Sequence, residues 1–136
     1  MTHPDEDGSV ILLTLGYALL AIALILVSVC ATDLYIAQKH LDALADAAAL
    51  AGADGFTVVV EGNAVHADLT DDAVRTEAEA LLRQLPGDAV LVSAESPDGS
   101  SARVHLSADW HPPLVSLFVP EGVRLDATGT SRTALR

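Results

Sequence analysis

The sequence predicts an α+β protein: a long N-terminal transmembrane helix extended out of the membrane, followed by a small domain of one helix packed on an antiparallel sheet. Three features predict it. Ser9 to Thr32 is a run of 24 residues without a charged side chain. Neither glycine nor proline interrupts the chain between Tyr17 and Ala51. Further along, apolar residues switch from helical spacing to strict alternation, the two periodicities of helix and strand. Three regions follow: a short leader over 1–8, a transmembrane helix with an Ala-rich extension over 9–54, and an α+β domain outside the membrane over 55–136.

The leader, Met-Thr-His-Pro-Asp-Glu-Asp-Gly, is polar and acidic. The span follows it. Val10 to Ala31 forms a helix about 33 Å long at ~1.5 Å per residue, enough to cross a hydrocarbon core of about 30 Å. Its polar residues, Thr14, Tyr17, Ser28 and Cys30, are of the kinds that bond back to a helix or to a neighbour. Val29-Cys30-Ala31 also fits a signal-peptidase pattern, which leaves open a secreted small domain cleaved after Ala31, although the basic n-region of a signal peptide is missing.

Beyond the span, Leu34, Ala37, Leu41, Leu44, Ala48 and Ala51 are spaced 3-4-3-4-3. This is a heptad-type seam of small and apolar residues, expected to pack against other subunits or against the protein's own domain. Ala49 is expected to lie round the helix from it. Gly52 and Gly55 supply the helix stop. Phe56 to Val60 reads as a short strand that Gly62-Asn63 turns back. Thr70 caps a helix whose first turn carries Asp71 and Asp72, and Val74, Ala78, Leu81, Leu82 and Leu85 form its apolar stripe. Pro86-Gly87 ends it. Ala89 to Glu95 is a strand, and Pro97-Asp98-Gly99 a turn. From Ala102 to His111 the alternation is complete, with Ala102, Val104, Leu106, Ala108 and Trp110 on the inner face. Pro112-Pro113 breaks this strand, Leu114 to Val119 is a short apolar loop, and Val123 to Arg132 alternates again.

Composition narrows the function. Apolar residues make up 51% of the 136, aromatics only 4%, so the excess is aliphatic and concentrated in the span. About 80 residues remain for a folded domain, close to the lower limit for one core. A large multi-substrate enzyme is excluded. A net charge of −12 with only seven Lys and Arg leaves no footprint for nucleic acid. A single cysteine, Cys30, makes neither an intrachain disulfide nor a Cys-based zinc site. His105, Ser107, Asp109 and His111 share a strand face. Alternate residues there stand about 7 Å apart and the two histidines about 20 Å apart, so they read as a solvated polar face rather than a triad or metal site. No enzyme activity, cofactor or metal is expected.

Gly8-Ser9 opening the span, then Asp33-Leu34-Tyr35, then Leu41-Asp42-Ala43-Leu44-Ala45-Asp46-Ala47-Ala48-Ala49-Leu50-Ala51-Gly52, resembles the N-terminal region of the TadE/TadG-like family of Tad/Flp pilus-assembly proteins. Asp33 and the ending Asp46, Ala47, Ala48, Ala49, Leu50, Ala51 and Gly52 carry the most specific part. Val123 to Ser131 is similar to the family's closing strand. The resemblance implies a pilin-like fold and a minor pilin or pseudopilin of pilus assembly or secretion, acting by helix–helix association. It implies a cell-membrane protein with one pass, N-terminus cytoplasmic and C-terminal domain extracytoplasmic. The implied partners are the lipid bilayer, other pilin-like subunits, the inner-membrane assembly platform and a prepilin peptidase cutting between Gly8 and Ser9. Two positions depart from a pilin leader: Asp7 stands where a basic residue is usual, and Leu13 where a glutamate is usual. A membrane-tethered binding or sensor domain unrelated to pili is the alternative reading of the same architecture.

Overall fold

A computed structural model describes residues 4–114, 116, 118 and 120–133. The architecture is α+β. Helix α1 (Pro4–Ala53) leads into strands β1 (Thr57–Glu61) and β2 (Ala64–Asp68). Helix α2 (Asp71–Gln84) and strands β3 (Val90–Glu95), β4 (Ser101–Trp110) and β5 (Val123–Arg132) complete the chain.

The 50 residues of α1 reach about 75 Å. Pro4, the first of the described residues, already lies in the helix. The helix passes through residues 4–8 without a break, so Gly8 lies inside it; Met1 to His3 of the expected leader lie outside the described residues. Within the apolar stretch, the hydroxyls of Thr14 and Ser28 donate to the carbonyls of Val10 and Leu24 at 2.8 and 2.7 Å, which satisfies them without a partner chain. Thr32 does the same to Ser28 at 2.9 Å.

β1 and β2 form a hairpin of their own, closed by a two-residue turn in which Gly62 takes φ +62°. The hairpin is separate from the three-stranded antiparallel sheet, whose order is β3-β4-β5. The long β4–β5 ladder pairs Ser101 with Arg132 and Trp110 with Val123. Thr70 caps α2 as expected, its hydroxyl accepting from the Ala73 N–H at 3.3 Å. Asp71 does more than favour the helix N-terminus: its Oδ1 accepts the Ser96 N–H at 2.6 Å and ties α2 to the end of β3.

The inner face of the sheet carries two helices rather than α2 alone. The outer part of α1 lies on β4 and β5, and α2 lies beside it on β3. The core therefore crosses the boundary expected at residues 54–55: Leu41, Ala45, Ala48, Ala49 and Ala53 of α1 are buried with Val74, Ala78, Val104, Leu106, Leu125 and Ala127. A domain with so few aromatics reaches close packing through small side chains. Gly129 of β5 meets the backbone of α1 directly: a Cβ there would collide with the Ala45 carbonyl and sit 2.7 Å from the Asp46 nitrogen. Gly52 is likewise closed in, since a Cβ would come within 2.8 Å of Val74 Cγ1.

Of the apolar loop expected over Leu114 to Val119, Val115, Leu117 and Val119 lie outside the described residues. Leu114 and Phe118 are exposed.

Candidate functional site

Every residue singled out for association lies on α1, and its angular position decides what it meets. Among the described residues the inner half of the helix is bare, apart from the groove that Leu26 and Val27 share with Trp110 at its outer end. From Gly8 to Val29 every residue is exposed, including Leu12, Leu13, Leu19, Leu20, Leu24 and Ile25. A helix of this length and composition is able to cross a membrane. Gly8 and Ser9 sit at the exposed start of that stretch.

The outer half is rotated relative to the expected seam. Leu41 and Ala48 are buried, but Leu34, Ala37, Leu44 and Ala51 are only partly so, while Ala45, Ala49, Gly52 and Ala53 are buried. Ala49 thus faces the core, contrary to the expectation that it lies round the helix from the seam. The cause is geometric. A strict 3.5-residue repeat drifts about 20° per heptad around a straight helix of 3.6 residues per turn. A straight helix on a sheet must keep the 3.6 period, so the buried stripe runs Leu41, Ala45, Ala48, Ala49, Gly52 and leaves Leu44 and Ala51 at its margin. This face packs on the protein's own sheet and on α2.

The motif over residues 46–52 consequently divides. Ala48, Ala49 and Gly52 point inward; Asp46, Ala47 and Leu50 are exposed. With Ile36 and Ala43 they leave a free outer face on the same helix, where Ile36, Ala43, Ala47 and Leu50 recur at 7-4-3 spacing.

Where the span meets the domain, one contact links distant parts of the chain. The Trp110 Nε1–H donates to Asp33 Oδ2 at 2.8 Å across 77 positions of sequence. Trp110 is partly buried and lines a wholly apolar groove with Leu26, Val27, Cys30, Ala31 and Leu34. Trp110 keeps its expected place on the inner face, partly buried against the edge of the core, and also reaches this junction. Five residues on from Asp33, Gln38 Nε2 donates both to Asp42 Oδ1 at 2.9 Å and to the Asp126 carbonyl at 3.0 Å. The Gln38 hydrogen bond, together with Lys39 at 3.3 Å, holds the Asp42 carboxyl below its usual range.

The polar face of the sheet pairs across strands. His105 Nε2 stands 3.3 Å from Asp126 Oδ1, and Arg124 Nε stands 3.6 Å from Asp109 Oδ1. Among the described residues no three His, Cys, Asp or Glu side chains are placed to hold a metal ion. At the far turn, Asp98 accepts from the Ser100 and Ser101 backbone N–H groups at 3.0 and 2.6 Å and from the Ser101 hydroxyl at 2.9 Å. These bonds, that of Ser100 foremost, lower its carboxyl from 3.8 to about 2.

Sequence reasoning placed Ala45 beside the seam rather than in the buried stripe, and it missed Gly129 and the Asp33–Trp110 bond. A glycine among β-branched neighbours in a strand is a known sign of close backbone approach, and Gly129 carried that sign.

Compared with family models, curated proteins and solved structures, the chain matches none.

Proposed function

We propose that this chain is a single-span, pilin-like component of Tad/Flp-type pilus assembly or secretion, with the N-terminus cytoplasmic and the C-terminal domain extracytoplasmic. It acts by association, not catalysis. The observation that carries the reading is the division of α1: one unbroken helix is bare and apolar over its first half and built into a small α+β domain over its second. The resemblance of residues 33–52 to the TadE/TadG-like pattern supports the pilus assignment. The bare half needs lipid and neighbouring helices to cover it, and close helix contact in lipid relies on small side chains such as Gly16, Ala18, Ala21 and Ala23.

Because the Ala45–Gly52 stripe is used inside the domain, contact with other pilin-like subunits and with the assembly platform falls to the span and to the outer face of Ile36, Ala43, Ala47 and Leu50. Cysteine crosslinking in native membranes tests this. With Cys30→Ser as background, Ala47→Cys is expected to form adducts with pilin-like subunits, identified by mass spectrometry. A monomer at every outer-face position, in cells whose pilus genes are intact, refutes the association reading and favours a membrane-tethered binding domain.

A further inference from the structure

We infer that Trp110, Leu114 and Phe118, at the β4–β5 end of the domain, form a second membrane contact, seated in the interfacial layer of the leaflet from which α1 emerges. The inference rests on the reading that the bare half of α1 spans a bilayer.

The relative level of helix and sheet carries it. β5 runs alongside α1 in the same direction: Asp126 is bonded to Gln38, and Gly129 lies on Ala45. Three strand residues advance about 10 Å and seven helical residues about 10.5 Å, so the two climb together. Stepping back three residues from Asp126 brings Val123 to the level of residues 31–32 of α1. The strand pairing puts Trp110 opposite Val123, and the Trp110–Asp33 bond fixes that level directly. Asp33 is the first charge after the uncharged run, which marks where the helix leaves the apolar layer. The loop therefore starts and ends at the membrane boundary. The groove that Trp110 lines extends along α1 as far as Leu26.

The chemistry of the loop matches that place. Trp110 to Pro120 contains no Asp, Glu, Lys or Arg. Phe118 is 83% exposed, the highest of the large apolar side chains described, and Leu114 is 53% exposed. Gly122, at φ +69°, packs against the Trp110 carbonyl and the His111 ring and holds the two ends of the loop together. Tryptophan concentrates at membrane–water interfaces because its ring is apolar and its N–H needs a partner; here Asp33 is that partner. No cationic cluster accompanies the loop, so it seats by apolar contact and needs no anionic lipid.

Depth-dependent quenching tests this on the full chain in phosphatidylcholine nanodiscs. In a Cys30→Ser background, Phe118→Cys, Leu19→Cys and Glu95→Cys each carry an environment-sensitive fluorophore. Glu95 lies about 23 Å along the sheet from Trp110, near the far end of β4. A nitroxide placed shallowly in the lipid is expected to quench the probe at 118 at least twofold more than the one at 95, and a deep nitroxide to quench the probe at 19. Trp110, the single tryptophan, gives an unsubstituted second reading: blue-shifted emission quenched by shallow brominated lipid. Deep quenching at 19 with no more quenching at 118 than at 95 overturns the loop contact and leaves the span standing. Quenching at none of the three overturns both.

Discussion

Gly129→Ala tests how closely the domain is built onto α1. The added Cβ would collide with the Ala45 carbonyl and lie 2.7 Å from the Asp46 nitrogen, both backbone atoms of an uninterrupted helix. Carbon contacts are optimal at about 3.5–4.0 Å, so helix and strand must part by on the order of 1 Å. A gap of that size forfeits about a quarter to a half of each dispersion contact along the stripe. Overpacking typically costs about 1–3 kcal/mol, and the rigidity of both elements puts this site at the upper end, about 3 kcal/mol. For a folded unit near 100 residues that lowers Tm by about 12–24 °C. The sign is as informative as the size. Without the collision, glycine to alanine at an ordinary backbone angle stabilises by about 0.4–1 kcal/mol. Far-UV circular dichroism melts of the full chain in detergent micelles, with exposed Thr130→Ala as control, measure the difference. A Gly129→Ala protein as stable as the parent would show that β5 does not lie on Ala45.

Two further outcomes are expected. Ala48→Leu, fully buried against the protein's own core, should cost about 1–3 kcal/mol of domain stability while partner crosslinking persists; exposed Ala47→Leu should change stability by less than about 0.5 kcal/mol but reduce crosslinking. The Asp98 carboxyl, lowered from 3.8 to about 2, contributes stability above pH 4 that is lost as pH falls toward 2; Asp98→Asn should therefore flatten the dependence of Tm on pH between 4 and 2, and an unchanged slope would count against the turn bonds.

Much of the fold was legible because local chemistry and tertiary structure agree. Thr70 has a capping side chain and acids after it, and it caps. The alternation from Ala102 to Trp110 names the inner face of β4 because a strand with one buried side has no other way to be written. Around α1 this local agreement ends. The seam was placed by heptad spacing, which suits a partner that coils with the helix; the partner here is the protein's own sheet, one of the two expected, and the stripe shifts toward Ala45 and Ala49. Gly129 falls in the alternating run of β5, but spacing within a strand says nothing about what lies across from it. The Asp33–Trp110 bond joins residues 77 apart, and neither residue's neighbours predict the other. The level of the β4–β5 loop on α1 depends on that long-range register, so its apolar character was visible in the sequence but its level was not.

The unbroken passage of α1 from bare span to buried core gives the protein a fixed phase. Each residue of a helix turns the chain by about 100° and lifts it by about 1.5 Å. With no hinge between Thr32 and Leu41, the direction in which the sheet points is set by which side of the span faces a neighbour. One residue inserted at the junction would swing the whole domain through more than a quarter turn while raising it by less than the width of an atom. Four residues would return it close to its original heading, one step higher. On the proposed function, the domain works like a vane on a shaft: whatever holds the bare half of α1 in the bilayer also aims the sheet, and any rotation of that half is delivered undiminished to the domain.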